Sequence, residues 1–216
     1  MPATLRRSRS PLIFNVTPRG NNQQSFREEP YKVTQYRVTT PLAEDFIRQL
    51  KAGDEVLLSG AIYLARDAAH KRMIARLELG EQLPVDLKGQ IIFYAGPCPP
   101  KPGQIIGPIA PTTAFRMDPY APAMYEYGVK GTIGKGPRGD TVKEACMLYN
   151  AVSFAAIGGL SAVLSQKVRA VEIVAYEDLG PEAIRWLLVE DFPLLVAYDA
   201  HGNDLYEQEI AKYRQL

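Results

Sequence analysis

Cysteine, histidine and tryptophan are scarce here: a chain of 216 residues holds two, two and one of them. Cys98 and Cys146 lie far apart in the chain, with no cysteine or histidine beside either. That arrangement fits neither a zinc site, nor an iron–sulfur cluster, nor a disulfide scaffold, so no metal is expected on this chain itself. Free thiols point to a reducing compartment, the cytoplasm. An excess of one charge is also missing, since 25 Lys and Arg face 24 Asp and Glu. The balance removes any general pull toward nucleic acid or an anionic membrane surface. No apolar run can cross a bilayer. The longest, 151–164, carries Ser153, Ser161 and a Gly158-Gly159 pair, and it reads as a buried helix. Two catalytic signatures are absent: there is no Gly-x-Ser-x-Gly elbow, and a phosphate loop around Lys135 fails because Val129 and Gly136 stand where Gly and Ser or Thr are needed.

What remains is the composition of an ordinary globular protein, 46% hydrophobic and 23% charged. The length suits one large domain behind a tail. The first 27 residues hold Arg6, Arg7, Arg9, Arg19 and Arg27 and no acid. They show no apolar periodicity, no amphipathic face of a transit peptide and no apolar core of a secretory signal. Residues 1–32 therefore read as a basic flexible tail and 33–216 as the domain. Strands are expected at 36–39, 55–62, 90–94, 129–133, 171–176, 187–190 and 194–198. Helices are expected from Pro41 to about Leu50, from Ala68 to about Leu79 behind an Asp67 cap, and after Asp140 or Thr141, where Thr141-Val142-Lys143-Glu144 matches a capping box. Pro181 opens a short helix, and residues 201–204 form a tight turn. Strands alternating with helices define an α/β domain with a partly parallel sheet. The Pro- and Gly-rich stretch 96–111 is too restricted to be a linker and reads as a shaped functional loop.

Three places share one design, in which an apolar strand or rigid loop leads to a cation and then to a helix start. They are Ile62 to Arg72, Pro111 to Asp118, and Gly134-Lys135-Gly136-Pro137-Arg138-Gly139-Asp140. Strand ends in α/β folds form the ligand-binding rim, and helix N-termini favour anions. Arginine presents a planar fork to a carboxylate, whereas lysine presents a point charge. Arg66, Arg116 and Lys135 together suit a small dicarboxylate. Each also has a plain structural reading. A single arginine at a helix start is usually a surface residue, Thr112-Thr113 can be a turn bonded to its own backbone, Lys135 can be a solvated turn, and His70 can pair with Asp67. Tyr125, Tyr127 and Cys146 read as packing residues.

The residues carry a resemblance. The blocks are Ile62-Tyr63-x-x-Arg66-Asp67-Ala68-Ala69-His70-Lys71, Tyr94-Ala95-Gly96-Pro97, Gly107-Pro108 with Pro111-Thr112-Thr113-x-x-Arg116-Met117-Asp118, and Ile133-Gly134-Lys135-Gly136. The C-terminal blocks around Glu177-Asp178-Leu179-Gly180, Val189-Glu190-Asp191-Phe192-Pro193 and Asp199 to Asp204 follow in order. Together they resemble the class I fumarase and L-tartrate dehydratase family, in its beta subunit or the equivalent C-terminal domain of fused enzymes, over roughly 40–206.

That resemblance implies a swivelling β/β/α three-layer fold and a hydro-lyase that hydrates fumarate to (S)-malate, or one that dehydrates L-tartrate to oxaloacetate. It implies a four-iron four-sulfur cluster held by an alpha subunit rather than by this chain, hence a hetero-oligomer acting on a small dicarboxylate. Carried onto matching positions, Arg66, Arg116 and Lys135 would hold substrate. Thr112, with Thr113 beside it, would be the base. Asp67, His70, Gly134, Gly136 and Arg138 are supporting candidates. Ala65, Ala110 and Phe115 depart from the family's usual letters, and Phe115 is expected to narrow the pocket. A dicarboxylate-binding module without catalysis is the alternative from another class; the threonine beside the cations favours the enzyme.

Overall fold

A computed structural model describes residues 34–214; the basic tail of residues 1–32 lies outside the described residues. The chain begins with β1 (Gln35–Thr39), a single helical turn α1 (Glu44–Ile47) and β2 (Glu55–Leu64). It continues through α2 (Asp67–Glu78), β3 (Ile91–Phe93), a hairpin of β4 (Ala95–Pro97) with β5 (Ile109–Pro111), and α3 (Ala121–Tyr127). Next come β6 (Gly131–Gly134), α4 (Asp140–Leu148), β7 (Val152–Ala155), α5 (Ser161–Gln166), β8 (Val168–Ala175), β9 (Ile184–Tyr198) and α6 (Leu205–Tyr213).

Seven strands form one mixed sheet in the order β1-β2-β3-β6-β7-β9-β8. The run from β1 to β7 is parallel, whereas β8 and β9 run antiparallel to their neighbours. β9 also pairs with β2 along most of its length, so β2, β3, β6, β7 and β9 close into a ring. Alternation along β2 buries Val56, Leu58, Ile62 and Leu64 on the same side as Phe93, Phe154, Leu187 and Val196. A second apolar cluster joins Ile92, Tyr94 and Tyr198 to Ala69 and Met73 of α2, Met124 and Tyr125 of α3, and Val142 and Cys146 of α4. This is the α/β architecture with a partly parallel central sheet that the strand–helix alternation predicts.

Several local expectations are corrected. The run 151–164 is not one buried helix. Val152–Ala155 is a strand held between β6 and β9, and only Ser161–Gln166 is helical. The Gly158-Gly159 pair, with Gly159 at φ 85°, makes the turn between them. The two strands expected at 187–190 and 194–198 are one 15-residue strand. Asp191, at φ 46°, and Pro193 fall at its irregularity, where the Ser59 hydroxyl accepts from the Asp191 N–H. The helix expected from Pro41 shrinks to α1. Neither Asp67 nor the 141–144 box caps a helix: the caps are Arg66 and Gly139, and Asp118 accepts from the Gly139 N–H at 2.6 Å. Pro181 lies inside a 3₁₀ segment, Glu177–Glu182. Asp204 caps the unforeseen α6, accepting from the N–H groups of Tyr206 and Glu207.

Candidate active site

The carboxyl ends of the parallel strands deliver the cations. β2 ends at Leu64 and α2 starts at Asp67, which leaves Arg66 at the N-cap with its side chain about three-quarters shielded. β3 leads through Tyr94 into the β4–β5 hairpin, whose return brings Thr112 back against Tyr94 by a 2.7 Å bond from the Thr112 N–H to the Tyr94 carbonyl. β6 ends at Gly134, directly before Lys135. Thr113 and Lys135 form a β-bridge, in which the Lys135 N–H donates to the Thr112 carbonyl (3.1 Å) and the Ala114 N–H donates to the Lys135 carbonyl (2.8 Å). The threonine pair and Lys135 are thus neighbours through backbone bonds. Thr112 is half-buried, while Thr113 and Lys135 are exposed.

Gly134 makes this approach possible. A Cβ there would stand 2.6 Å from the Ala114 Cβ, so any side chain would pry the two loops apart. Gly136, at φ 82°, turns the chain away beyond Lys135. Arg116 lies in the 3₁₀ turn Ala114–Met117 that starts at Thr113. Its Nη2 donates to Asp67 Oδ2 at 2.8 Å, and the same oxygen is 3.5 Å from Arg66 Nε. One carboxylate therefore draws the two guanidinium groups together from loops 50 residues apart in sequence. Arg66 also pairs with Glu182, Nη2 to Oε1 at 3.2 Å. Lys135 makes no ion pair among the described residues.

Arg66, Asp67, Arg116, Thr112, Thr113, Lys135 and the glycines at 134 and 136 are brought together at one rim. His70 and Arg138 lie beneath it. His70 does not pair with Asp67. It is fully buried, its Nδ1 donates to the Arg66 carbonyl at 2.9 Å, and its ring packs against Tyr94 and Tyr120. Burial pushes its pKa down to about 4, so the ring is neutral at pH 7. The Arg138 side chain is 1% exposed, sits over the Tyr94 ring and is ion-paired with Asp118 through Nε. Asp118 holds both Arg138 and the Gly139 N–H, so one acid fastens the Arg116 loop to the Lys135 loop. Phe115 points outward, 63% exposed, and lines a shallow cleft of about 410 Å³ with Arg116, Asp118, Pro119 and Thr141. Asp118 and Glu182 were not singled out from sequence. Asp118 falls within the Pro111–Asp118 segment, two residues after Arg116, and nothing in the letters marks Glu182 as a neighbour of Arg66.

The chain does not fit an iron–sulfur cluster of its own. It has two cysteines, Cys98 exposed in the proline loop and Cys146 in the core of α4, where burial pushes the thiol up to about 12. Such a cluster is held by several thiolates at one place. Among the described residues no group of three His, Cys, Asp or Glu could hold a metal ion, and no helix is long and apolar enough to cross a membrane.

An α/β domain that gathers two arginines, a lysine and two threonines at its strand ends carries the charge and hydrogen-bond donors that suit a small anion. Comparison with known proteins narrows the class: residues 7–209 match the family described as fumarase C-terminus, and the chain belongs to that family. It is 36% identical over 167 residues to "Fumarate hydratase 2" of Leishmania major, covering 76% of this chain and 29% of that protein. It is 36% identical over 168 residues to "Fumarate hydratase class I, anaerobic" of Escherichia coli K12, covering 77% and 31%. Against the "Putative L(+)-tartrate dehydratase subunit beta" of Methanocaldococcus jannaschii it is 38% identical over 173 residues, covering 77% and 89%. The chain thus spans about three tenths of the fumarate hydratases and nearly all of the archaeal beta subunit.

Proposed function

We propose that this chain is the beta subunit of a hydro-lyase that reversibly hydrates fumarate to (S)-malate. The observation that carries the reading is the convergence of Arg66 and Arg116 on one carboxylate oxygen, at 3.5 and 2.8 Å, on the rim that also carries Thr112 and Lys135. Asp67 shows the kind of group these cations accept. Arg116 spends one of its five N–H donors on it, and Arg66 Nη1 has no partner among the described residues. The remaining donors and the Lys135 ammonium suit the two carboxylates of a small dianion.

In the dehydration direction, deprotonated Thr112 takes a proton from the carbon next to one carboxylate, the C–O bond on the neighbouring carbon breaks as the double bond forms, and the departing hydroxide takes up a proton to leave as water. The negative charge that develops spreads onto the held carboxylate, where arginine and lysine stabilise it. A threonine hydroxyl is a weak base, so the cations beside it must also favour its deprotonated form. The four-iron four-sulfur cluster implied by the family resemblance is assigned to an alpha subunit, because two separated cysteines cannot hold it. Two free thiols suit a cytoplasmic location.

A second reading, the beta subunit of an L(+)-tartrate dehydratase, is favoured by the archaeal relative, which is a chain of similar extent under that name. Copurification with a candidate alpha chain, followed by an anaerobic assay on both substrates, tests the two. Turnover of fumarate well above L-tartrate is the expected result. The reverse preference selects the second reading, and activity on neither overturns the enzyme.

A further inference from the structure

We propose that Glu182 is a positioning residue that fixes how Arg66 meets the dicarboxylate. The inference rests on the site proposed above and adds a residue that neither motif nor charge pattern marks. Glu182 ends the 3₁₀ segment Glu177–Glu182, far along the chain from Arg66, and both of its oxygens are engaged. Oε1 is 3.2 Å from Arg66 Nη2, and Oε2 accepts from the Ala68 N–H at 2.7 Å, in the first turn of α2. The carboxylate therefore spans the arginine and the helix that starts behind it.

Glu182 is itself held. Arg185 donates to the carbonyls of Gly180, Pro181 and Ala183, on either side of it. Arg72 makes a two-pronged pair with Asp178 at 2.9 and 2.8 Å and stacks over Tyr176. Tyr176, at φ 55°, is held in the left-handed region, a conformation that persists only where surrounding contacts impose it. On the other side of the arginine, Gly96 leaves the room it needs: a Cβ there would stand 3.2 Å from Arg66 Nη1 and 3.1 Å from the Pro181 carbonyl oxygen.

The consequence is directional. Glu182 lies at Nη2, and Asp67 stands 3.5 Å from Nε without a hydrogen bond, which leaves Nη1 and the buried Nε as donors without a hydrogen-bond partner among the described residues. A negative charge beside a site for a dianion repels the ligand at long range. Glu182 can therefore aid binding only through geometry, by removing rotamer freedom that the ligand would otherwise have to quench.

The test is steady-state turnover of the dicarboxylate by this chain with its alpha partner, together with thermal unfolding. Glu182→Gln is expected to raise KM roughly three- to tenfold, with kcat within about twofold of the parent. In an Arg66→Ala background the same substitution should add nothing. An unmoved KM overturns the inference, as does a KM rise that persists without Arg66, or a loss confined to kcat. If Glu182→Gln does not fold, Glu182→Asp, which keeps the charge but shortens the reach, is judged by the same readouts. A parent complex without dicarboxylate turnover overturns the site reading and this inference together, whereas an active parent with an indifferent Glu182→Gln overturns only the inference.

Discussion

Arg138, between Pro137 and Gly139, and Arg116, between Pro111 and Pro119, both sit in turns a few residues past a strand end, yet the fold uses them in opposite ways. The Arg138 side chain is 1% exposed and closed upon Asp118, Tyr94, Thr132 and Ser153. Arg116 is 47% exposed and touches the protein through one nitrogen. A buried guanidinium with its counter-ion is a fastener, and an open one with spare donors is a hand. The Asp118–Arg138 pair locks the loops that carry Thr113, Arg116 and Lys135, so the buried cation sets the frame in which the exposed ones act.

Breaking the fastener should have the largest effect on stability. Asp118→Ala strands a buried guanidinium, and a loss of about 3–5 kcal/mol in urea-monitored unfolding is expected. A loss below about 1 kcal/mol would remove the distinction between the two arginines.

His70 sharpens the comparison from beneath. The unfolded chain binds a proton on this ring near pH 6.5, whereas the folded chain resists it down to about pH 4. Its contribution is therefore fully kept above pH 6.5 and is lost as pH falls from 6.5 toward 4, by about 3 kcal/mol at the lower end. His70→Gln should flatten that part of the stability profile, and an unchanged slope would place the titration elsewhere.

Gly134→Ala forces a methyl group against Ala114 and should cost about 1–3 kcal/mol. The smallest effect on stability belongs to Arg116→Ala, below about 1 kcal/mol, because an exposed ion pair contributes little.

The cationic rim was legible because each of its members follows a strand end, where side chains of an α/β fold meet ligands. Arg66 after β2 and Lys135 after β6 are both local features of the chain. What joins them was not legible. Asp67 reads as a helix cap, the role its neighbours suggest, yet its carboxylate crosses to Arg116. Glu182 reaches Arg66 only because β9 folds back along β2. Such pairings depend on tertiary packing, which has no short-range signature. The run 151–164 misled because an apolar stretch of that length has no periodicity that separates strand from helix. Its Gly158-Gly159 pair was the signal to break it. The strands expected at 187–190 and 194–198 join into one because the bulged strand tolerates Pro193.

The most direct test of the shared cation site is turnover by the complex carrying Arg116→Ala, set beside its melting temperature. A fall of about a hundredfold in kcat/KM with an almost unmoved melting temperature is expected for a charged contact made to substrate. A kcat/KM within threefold of the parent would contradict the claim that Arg116 grips the dicarboxylate.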